Sequence, residues 1–194
     1  MLPYEVFALG DIDPEQFPVT RGLIDQSLAN FACERSEHLQ RFARETVTRF
    51  EKHGHSRTYV LSTPTEDGGL DVAGFFTIGM TSLDLSQASK STRAKLMGDV
   101  TMDVTGAYCI AELARSDKYD SAQLPGSIIL DEAKQVIRRA RALVAGRFLV
   151  VDAQEVVFTQ LYEPNGFRRI AVAQPPRGME DRDFVTACAV IRDW

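Results

Sequence analysis

The loop and helix start around Gly126 and Ser127 hold the first residues whose types and spacing could support chemistry. Backbone N–H groups at the start of a helix bind anions such as a diphosphate, and a glycine lets the backbone approach the anion closely. Ser127 can also cap the first turn of the helix. A Pro-Gly turn before a Ser-capped helix is the alternative interpretation, and it needs no ligand.

Tyr162 lies in the segment LYEPNGF at 161–167 and is the second such residue. It comes near the end of a short helix that Pro164 and Gly166 terminate, which predicts that its phenol lies at the open end of a sheet. An unperturbed phenol has a pKa of about 10, so at neutral pH it can donate a proton to a leaving thiolate. The alternative interpretation of Tyr162 is a half-buried packing residue.

The base that would deprotonate a nucleophile is less well specified. Glu112 lies in a predicted strand, but the alternation of side chains from Leu113 could turn it away. Asp152 ends another strand, where capping of the following helix is the alternative to catalysis. The sequence has neither a Ser-His-Asp grouping nor the spacing of metal ligands. The three histidines lie upstream and are interpreted as surface residues: His38, His53 and His55.

A strand, a loop, a helix and a second strand must position these residues. The segment 107–115, AYCIAELAR, is predicted to be a strand, and 147–153, RFLVVDA, a strand buried on both faces. Between them, residues 127–144 carry an apolar stripe at the spacing of an amphipathic helix. Because a helical crossover joins parallel strands, we expect the two strands to be parallel neighbours.

The rest of the chain supplies further elements. A helix is expected over 34–53, and an antiparallel hairpin over 57–63 and 70–83, where turn residues separate two β-rich runs. The prolines make the first thirty residues more typical of a docked arm or short strand than of a long helix. The polar segment 84–106 is expected to run over the surface. Shorter elements are expected at 155–163 (helix), 166–173 (strand) and 184–192 (strand).

Composition bounds the class of protein. The chain has 194 residues, of which 44% are hydrophobic, and this fits one α/β domain over 1–194. The net charge of −5 disfavours bulk nucleic-acid binding. Three cysteines without CxxC spacing suit a reducing compartment, so we expect a cytoplasmic location, and no apolar run suggests a membrane segment. A run of arginines is interpreted as a solvated helix face: Arg138, Arg139, Arg141 and Arg147.

The order of these elements resembles the GNAT acyltransferases over about residues 31–173. The shared order is helix, hairpin, strand, loop, helix and strand, followed by the motif YExxGF. The resemblance implies a mixed α/β fold, in which a central mixed sheet of six or seven strands is flanked by helices on both faces. It also implies transfer of an acetyl group from acetyl-CoA to a primary amine by direct attack, without a metal. The chain matches the motif at Tyr162, Glu163, Gly166 and Phe167.

The resemblance also implies roles for individual residues. Tyr162 corresponds to the tyrosine that protonates the departing CoA thiolate, and Glu112 is a candidate base beside the thioester. The strand would offer main-chain groups to the acetyl carbonyl and pantetheine at Leu113, Ala114 and Arg115. The diphosphate loop and helix start correspond to Ser121, Ala122, Gln123, Leu124, Gly126, Ser127 and Ile128.

Two positions depart from the family pattern. The family's phosphate loop has the form Q/R-x-x-G-x-G/A, whereas YDSAQLPGS has one glycine and a proline. We interpret it as a variant of that loop. Glu155 stands where many members have an asparagine. These departures motivate one alternative function, a non-catalytic CoA-binding or interaction protein.

The nature of the acceptor and of the partners stays open in the sequence. The resemblance is closest to a toxin-like branch, on FAC at 31–33, GHSRTYVL at 54–61 and AGFFTI at 73–78. This implies a second alternative, a toxin that acetylates aminoacyl-tRNA and binds an antitoxin; the basic run SKSTRAK supports it and the acidic net charge counts against it. A small-molecule or peptide amine is the other acceptor class, and a homodimer is an open alternative. Acceptor contacts are expected from loops at 20–35, 84–106 and 174–183.

Overall fold

A computed structural model describes residues 1–100, 102–171 and 183–191. Within them the strands are β1 (Glu5–Ala8), β2 (Arg57–Pro64), β3 (Leu70–Asp84), β4 (Val104–Arg115), β5 (Phe148–Gln154), β6 (Arg168–Arg169) and β7 (Phe184–Val190). The helices are α1 (Pro18–Ala29), α2 (Glu37–Arg41), α3 (Val47–Lys52), α4 (Lys90–Met97), α5 (Gly126–Leu143) and α6 (Glu155–Val157). Hydrogen bonds join the strands into one sheet in the order β1-β2-β3-β4-β5-β7-β6. The expected mixed α/β fold is confirmed.

The chain divides into two compact units. Unit 1 consists of Met1–Gly79 and Ala111–Val136, and unit 2 of Met80–Ile110 and Ile137–Trp194. That the whole chain forms a single domain stays a prediction. Among the described residues, no helix is both long enough and apolar enough to cross a membrane.

Strands β2 and β3 of unit 1 form the expected antiparallel hairpin. Their pairing runs from Arg57 opposite Ile78 to Pro64 opposite Leu70. Gly68, in the connecting turn, has a φ of 80°, which lies in the left-handed region that favours glycine. The left-handed backbone conformation at this position therefore explains why the turn contains a glycine.

Residues 18–29 form helix α1, so the expectation that the first thirty residues lack a long helix is wrong. Pro18 is the first helical residue, where its fixed φ and missing N–H fit a helix start. Ile24 and Leu28, four positions apart, are buried on one face of α1. The short strand that was also expected is present as β1, which pairs antiparallel with β2.

The helix expected over 34–53 begins later and is interrupted. Ser36 caps α2, since its hydroxyl accepts a backbone N–H of the first turn at 3.3 Å. A π-helical turn at Phe42–Thr46 separates α2 from α3. Phe42 packs on Phe75 of β3 with ring centroids 6.0 Å apart, so the apolar stripe covers the hairpin as its spacing predicts.

The expected parallel pairing of β4 and β5 is confirmed. Strand β5 pairs antiparallel with β7 along its whole length, and β6 pairs with β7. The strand expected over 166–173 is shorter in the structure, and residues 172, 173 and 192 of the expected strands lie outside the described residues. The parallel ladder between β4 and β5 joins Tyr108 to Leu149 and Cys109 to Val150.

Most described residues of the segment 84–106 are exposed, which confirms the expected surface run. The segment also forms α4, which was not predicted, and buries apolar side chains in a core cluster that includes Phe148 of β5. The hydroxyl of Ser89 caps α4 by accepting the Thr92 N–H at 3.1 Å. That this segment contacts the acceptor stays a prediction. Its buried apolar side chains, among the described residues, are Leu85, Ala88, Leu96 and Met97.

Candidate active site

The end of β4 packs closely against its neighbours in unit 1. A Cβ atom at Gly74 would lie 2.9 Å from the Ala114 carbonyl oxygen and 3.0 Å from Cδ1 of Ile129. Only glycine therefore fits at this position of β3, because the first of these atoms is backbone. Ala114 itself is buried, and Leu113 is partly exposed. The close packing fixes the main chain that the sequence assigns to the thioester.

Arg115 connects the end of β4 to the loop that follows. Its Nη1 atom donates to the Leu124 carbonyl oxygen at 3.0 Å, and Leu124 is fully buried. Its Nε atom is buried without a hydrogen-bond partner in the described part of the chain. Burial, with the positive charge of Arg35, lowers the pKa of Arg115. The sequence assigned only main-chain groups here, so the bracing side chain is a further finding.

Asp71 anchors the beginning of the same loop. Its carboxylate accepts hydrogen bonds from Lys118 Nζ at 3.0 Å, from the Tyr119 hydroxyl at 2.9 Å and from the Ser27 hydroxyl at 2.5 Å. Burial alone would raise the pKa of Asp71, but these three donors outweigh it and hold the pKa below its usual range. Burial and the bond to Asp71 raise the pKa of Tyr119 to about 12. No local sequence pattern predicts this cluster, because its members come from three separate segments.

Some backbone amides of the loop donate hydrogen bonds within the chain, and others do not. Asp120 Oδ1 accepts the N–H groups of Ala122 at 2.9 Å and Gln123 at 2.8 Å. Helix α5 begins at Gly126, one residue before the expected start at Ser127, so Ser127 lies within the first turn and not at the capping position. Within the described residues, the amides of Gly126 and Ser127 donate no hydrogen bond. Anion-binding capacity is thus concentrated at the start of α5.

The remaining amides and side chains of the loop complete this picture. The Leu124 N–H donates to the Asp120 carbonyl and the Ile128 N–H to the Pro125 carbonyl, each at 3.0 Å. Ser121, Ala122 and Gln123 are exposed, whereas Ser127 and Ile128 are partly exposed. The loop is therefore held by internal hydrogen bonds and keeps one face open to solvent.

Glu112 is paired with a histidine. His38 Nε2 lies 2.7 Å from Glu112 Oε1, which joins the first turn of α2 to β4. The interpretation of His38 as an ordinary surface residue is therefore wrong, although its side chain keeps 39% exposure. The Glu112 side chain is only 15% exposed. Because the two residues lie 74 positions apart in the chain, no local sequence pattern predicts the pair.

Tyr162 lies in unit 2, at the end of a π-helical turn. Its side chain is buried, and its ring packs edge to face on Phe167 with centroids 5.2 Å apart. Gly166 has a φ of 88°, which allows the Phe167 N–H to return to the Tyr162 carbonyl at 3.2 Å. The YExxGF motif is thus a folded unit that fixes the tyrosine ring. The packing interpretation of Tyr162 is correct for the ring, and the role of the phenol stays a prediction.

Two carboxylates of unit 2 have structural partners. Asp152 does not cap the following helix, because Gln154 is the N-cap residue and Asp152 accepts the Thr186 hydroxyl at 2.5 Å. The expected capping role of Asp152 is therefore wrong. Glu155 forms an ion pair with Arg169, one branch of which measures 2.9 Å. In the described ranges no group of three or more His, Cys, Asp or Glu residues is placed to hold a metal ion.

A basic cleft of about 710 Å³ lies in unit 2, at the end of α5 and the start of β5. Arg138, Arg139 and Arg141 are exposed on α5, so the interpretation as a solvated helix face is confirmed for these three residues but not for Arg147, which follows the helix. Arg147 is partly buried and donates to the Leu96 carbonyl at 2.7 Å. The cleft is lined by Arg138, Arg141, Ala142, Ala145, Gly146, Arg147 and Ile191.

Charge is unevenly distributed along the chain. Unit 2 contains twelve lysines and arginines against ten acidic residues, whereas unit 1 contains ten against seventeen. The net charge of −5 therefore comes from unit 1, and unit 2 is slightly basic.

Comparison with known proteins gives fold-level similarity. No protein-family profile and no curated protein sequence matches the chain. Among solved structures, a tyrosine-to-phenylalanine mutant of KacT has a TM-score of 0.69 and 17% identity over 94% of this chain and 93% of that one. AtaT complexed with acetyl-methionyl-tRNAfMet has a TM-score of 0.69 and 20% identity, with 95% and 94% of the two chains covered. AtaTR bound with acetyl-CoA has a TM-score of 0.65 and 20% identity over 94% and 92%.

These similarities span nearly the whole chain. AtaT is a toxin. At no more than 20% identity the similarities concern the fold, and the chain has the GNAT fold that these structures share.

Proposed function

We propose that the chain is an N-acetyltransferase that moves an acetyl group from acetyl-CoA to a primary amine by direct attack. The observation that carries this proposal is the similarity to AtaTR bound with acetyl-CoA, which covers 94% of this chain. Its support within the chain is the braced loop of unit 1, where an anion can reach the start of α5. Holding amine and thioester together can supply roughly 7–11 kcal/mol of the rate enhancement.

The diphosphate of acetyl-CoA would bind at the amides of Gly126 and Ser127. Both groups lie at the positive end of an α5 dipole that extends over 18 residues. The main chain of Leu113 and Ala114 would bind pantetheine and the acetyl carbonyl. Strand β4 continues to Arg115, beyond its two-residue ladder with β5, which supports entry of the thioester beside this stretch.

Tyr162 would act as the general acid. The phenol donates its proton to the CoA sulfur as the C–S bond breaks, and this lowers the cost of expelling a thiolate. Support comes from the YExxGF motif and from the packing that fixes the ring on Phe167.

A labelled-acetyl assay tests the proposal. The purified chain is incubated with [¹⁴C]acetyl-CoA and three acceptor sets: primary amines, short peptides and total aminoacyl-tRNA. We expect acid-stable label in one set, with stoichiometric release of CoA thiol. Calorimetry with acetyl-CoA accompanies the assay. Absence of binding at millimolar acetyl-CoA would refute the enzyme, and binding without transfer to any set would favour a CoA-binding protein instead.

A second candidate is a toxin whose acceptor is the α-amino group of an aminoacyl-tRNA. The complex of AtaT with acetyl-methionyl-tRNAfMet favours it. The acidic net charge of the whole chain is only a weak objection to tRNA binding, because the excess of acidic residues lies in unit 1. The three-arginine cleft of unit 2 would attract phosphates. The proposed partners are then tRNA and an antitoxin.

Expression in bacteria distinguishes this candidate from an enzyme that acts on small amines. We expect growth arrest on induction of the wild-type chain and normal growth on induction of Tyr162→Phe. Extracted tRNA should carry N-acetylated aminoacyl groups only in the first culture. Normal growth at high wild-type expression would count against the toxin and leave the acetyltransferase proposal standing.

A further inference from the structure

The pair formed by His38 and Glu112 has the composition of a proton-transfer dyad. An ionised carboxylate can only accept a hydrogen bond, so at 2.7 Å the imidazole Nε2 must be the donor. In the neutral ring this assigns the proton to Nε2 and makes Nδ1 the basic nitrogen. Glu112 thereby selects the tautomer of His38 and stabilises the imidazolium that forms when Nδ1 takes a proton.

The two side chains differ in their access to solvent. The Glu112 side chain is 15% exposed, whereas that of His38 is 39% exposed. A base that receives a proton from a substrate must be reachable, and the group that orients it works best when shielded from water. His38 is therefore the more accessible and Glu112 the more shielded of the two, as a base and its orienting carboxylate require.

The position of the dyad in unit 1 connects it to the proposed site. Glu112 precedes Leu113 and Ala114, whose main chain is the proposed binding surface for the acetyl group. Its partner is fixed independently, because Ser36 caps the five-residue helix that carries His38. The first turn of α2 and strand β4 thus hold the imidazole against the Glu112 side chain, which immediately precedes the strand segment where the thioester would bind.

We propose that His38 is the general base of the acetyl transfer and that Glu112 is its positioning residue. This inference rests on the proposed acetyltransferase function and adds the residue that deprotonates the acceptor. The sequence had left this role to Glu112 alone, with the histidines interpreted as surface residues.

The proton and electron balance follows directly. Nδ1 of His38 takes one proton from the substrate ammonium and later releases it to solvent. The neutral nitrogen forms the new C–N bond with the acetyl carbon. The C–S bond then breaks, its electron pair leaves with sulfur, and sulfur takes the phenolic proton of Tyr162. The second proton lost by the nitrogen restores that phenol through solvent, so the products are an amide, CoA thiol and one released proton.

The test uses the full-length chain with [¹⁴C]acetyl-CoA and whichever acceptor set of the assay above is labelled. For His38→Ala we expect kcat to fall about 10²–10⁴-fold, while KM for acetyl-CoA stays unchanged. Added imidazole should occupy the vacated space and raise the kcat of His38→Ala at least about tenfold. The matched control is His53→Ala, an exposed histidine of the same unit, which should keep wild-type kcat with or without imidazole.

Glu112→Gln supplies a second measurement. It removes the charge while keeping a similar shape, so we expect a smaller loss of kcat than for His38→Ala. The double variant should lose little more than His38→Ala alone, because Glu112 acts through His38. A thermal melt by circular dichroism checks that each variant is folded.

Three results would overturn the inference. They are wild-type kcat in folded His38→Ala, loss of kcat without imidazole rescue, and additive losses in the double variant. The last two would make the pair a structural link between α2 and β4. By contrast, a wild-type chain that labels no acceptor would refute the proposed function itself, which is a distinguishable outcome.

Discussion

Arg115 Nη1 donates to the Leu124 carbonyl oxygen at 3.0 Å, so the last residue of β4 holds the loop that leads into α5. Arg115→Met keeps most of the apolar stem but removes this donor. We expect the dissociation constant of acetyl-CoA to rise roughly tenfold, which corresponds to about 1.4 kcal/mol. Calorimetry measures it, with the exposed Arg49→Met as a charge-matched control. Unchanged affinity would contradict a bracing role for Arg115.

Asp71 predicts a pH dependence of stability. The native pKa is lowered, so this carboxylate stabilises the fold above its unfolded pKa of about 3.9 and loses that contribution as pH falls through the native value. Asp71→Asn should reduce the free energy of unfolding at pH 7 by roughly 1–3 kcal/mol, because it disturbs buried charge-assisted bonds. Urea titrations at pH 7 and pH 2.5 should show the difference shrinking at the lower pH. Asp25→Asn, on the surface of α1, serves as the control, and an equal difference at both pH values would argue against the assignment.

Gly74 and Gly22 should respond to alanine with opposite signs. The added methyl of Gly74→Ala meets the backbone oxygen of Ala114 at 2.9 Å, so unfolding should become easier by roughly 1–3 kcal/mol. Gly22→Ala, within α1, meets nothing within 4 Å and should stabilise the protein by about 0.5–1 kcal/mol. Thermal and urea unfolding measure both variants. The prediction fails if the two substitutions change stability in the same direction.

Tyr162→Phe keeps the ring that packs on Phe167 and removes the phenolic proton. On the proposed function we expect kcat to fall about 10²–10⁴-fold with little change in KM for acetyl-CoA. Tyr59→Phe, in the β2 strand, is the control and should retain wild-type turnover. A Tyr162→Phe enzyme with full kcat would show that another group, or water, protonates the sulfur.

The arginine cleft predicts the salt dependence of tRNA binding. If the acceptor is an aminoacyl-tRNA, Arg138→Ala combined with Arg141→Ala should weaken binding and reduce the salt slope by about one for each lost phosphate contact. Fluorescence anisotropy with labelled tRNA from 50 to 300 mM salt measures this. Substituting two exposed arginines of unit 1, Arg41 and Arg49, makes the same change in net charge. Equal effects from both pairs would indicate a general charge effect instead of a site.

Local sequence patterns predicted the elements whose stability is encoded locally. The β2–β3 hairpin follows from a turn between two β-rich runs, and the parallel crossover follows from an amphipathic helix between apolar strands. Helix α1 was missed because Pro18 counts against a helix in general but fits its first position. Helix α4 was missed because its polar composition outweighed the few apolar side chains that it buries. In both cases tertiary burial decided the structure.

The site was predicted only where a motif extends along the chain. Tyr162 and the 121–128 loop were found because short segments carry their signals. The His38–Glu112 pair and the Asp71 cluster join residues that lie 44 to 74 positions apart, and no local pattern reports such contacts. The bracing by Arg115 was missed for a different reason, since a side chain and a carbonyl nine positions apart meet only through the path of the loop.

Asp120 gives the loop an anion of its own. Its carboxylate satisfies the Ala122 and Gln123 amides at 2.9 and 2.8 Å and curls the chain before α5 begins. Because the Asp120 carboxylate belongs to the chain, its effective concentration at these amides is high, and the turn can form before any ligand binds. The loop is therefore preorganised, and a diphosphate that binds at Gly126 and Ser127 would lose less affinity to the ordering of the backbone. The loop can in this way hold its shape with a single glycine.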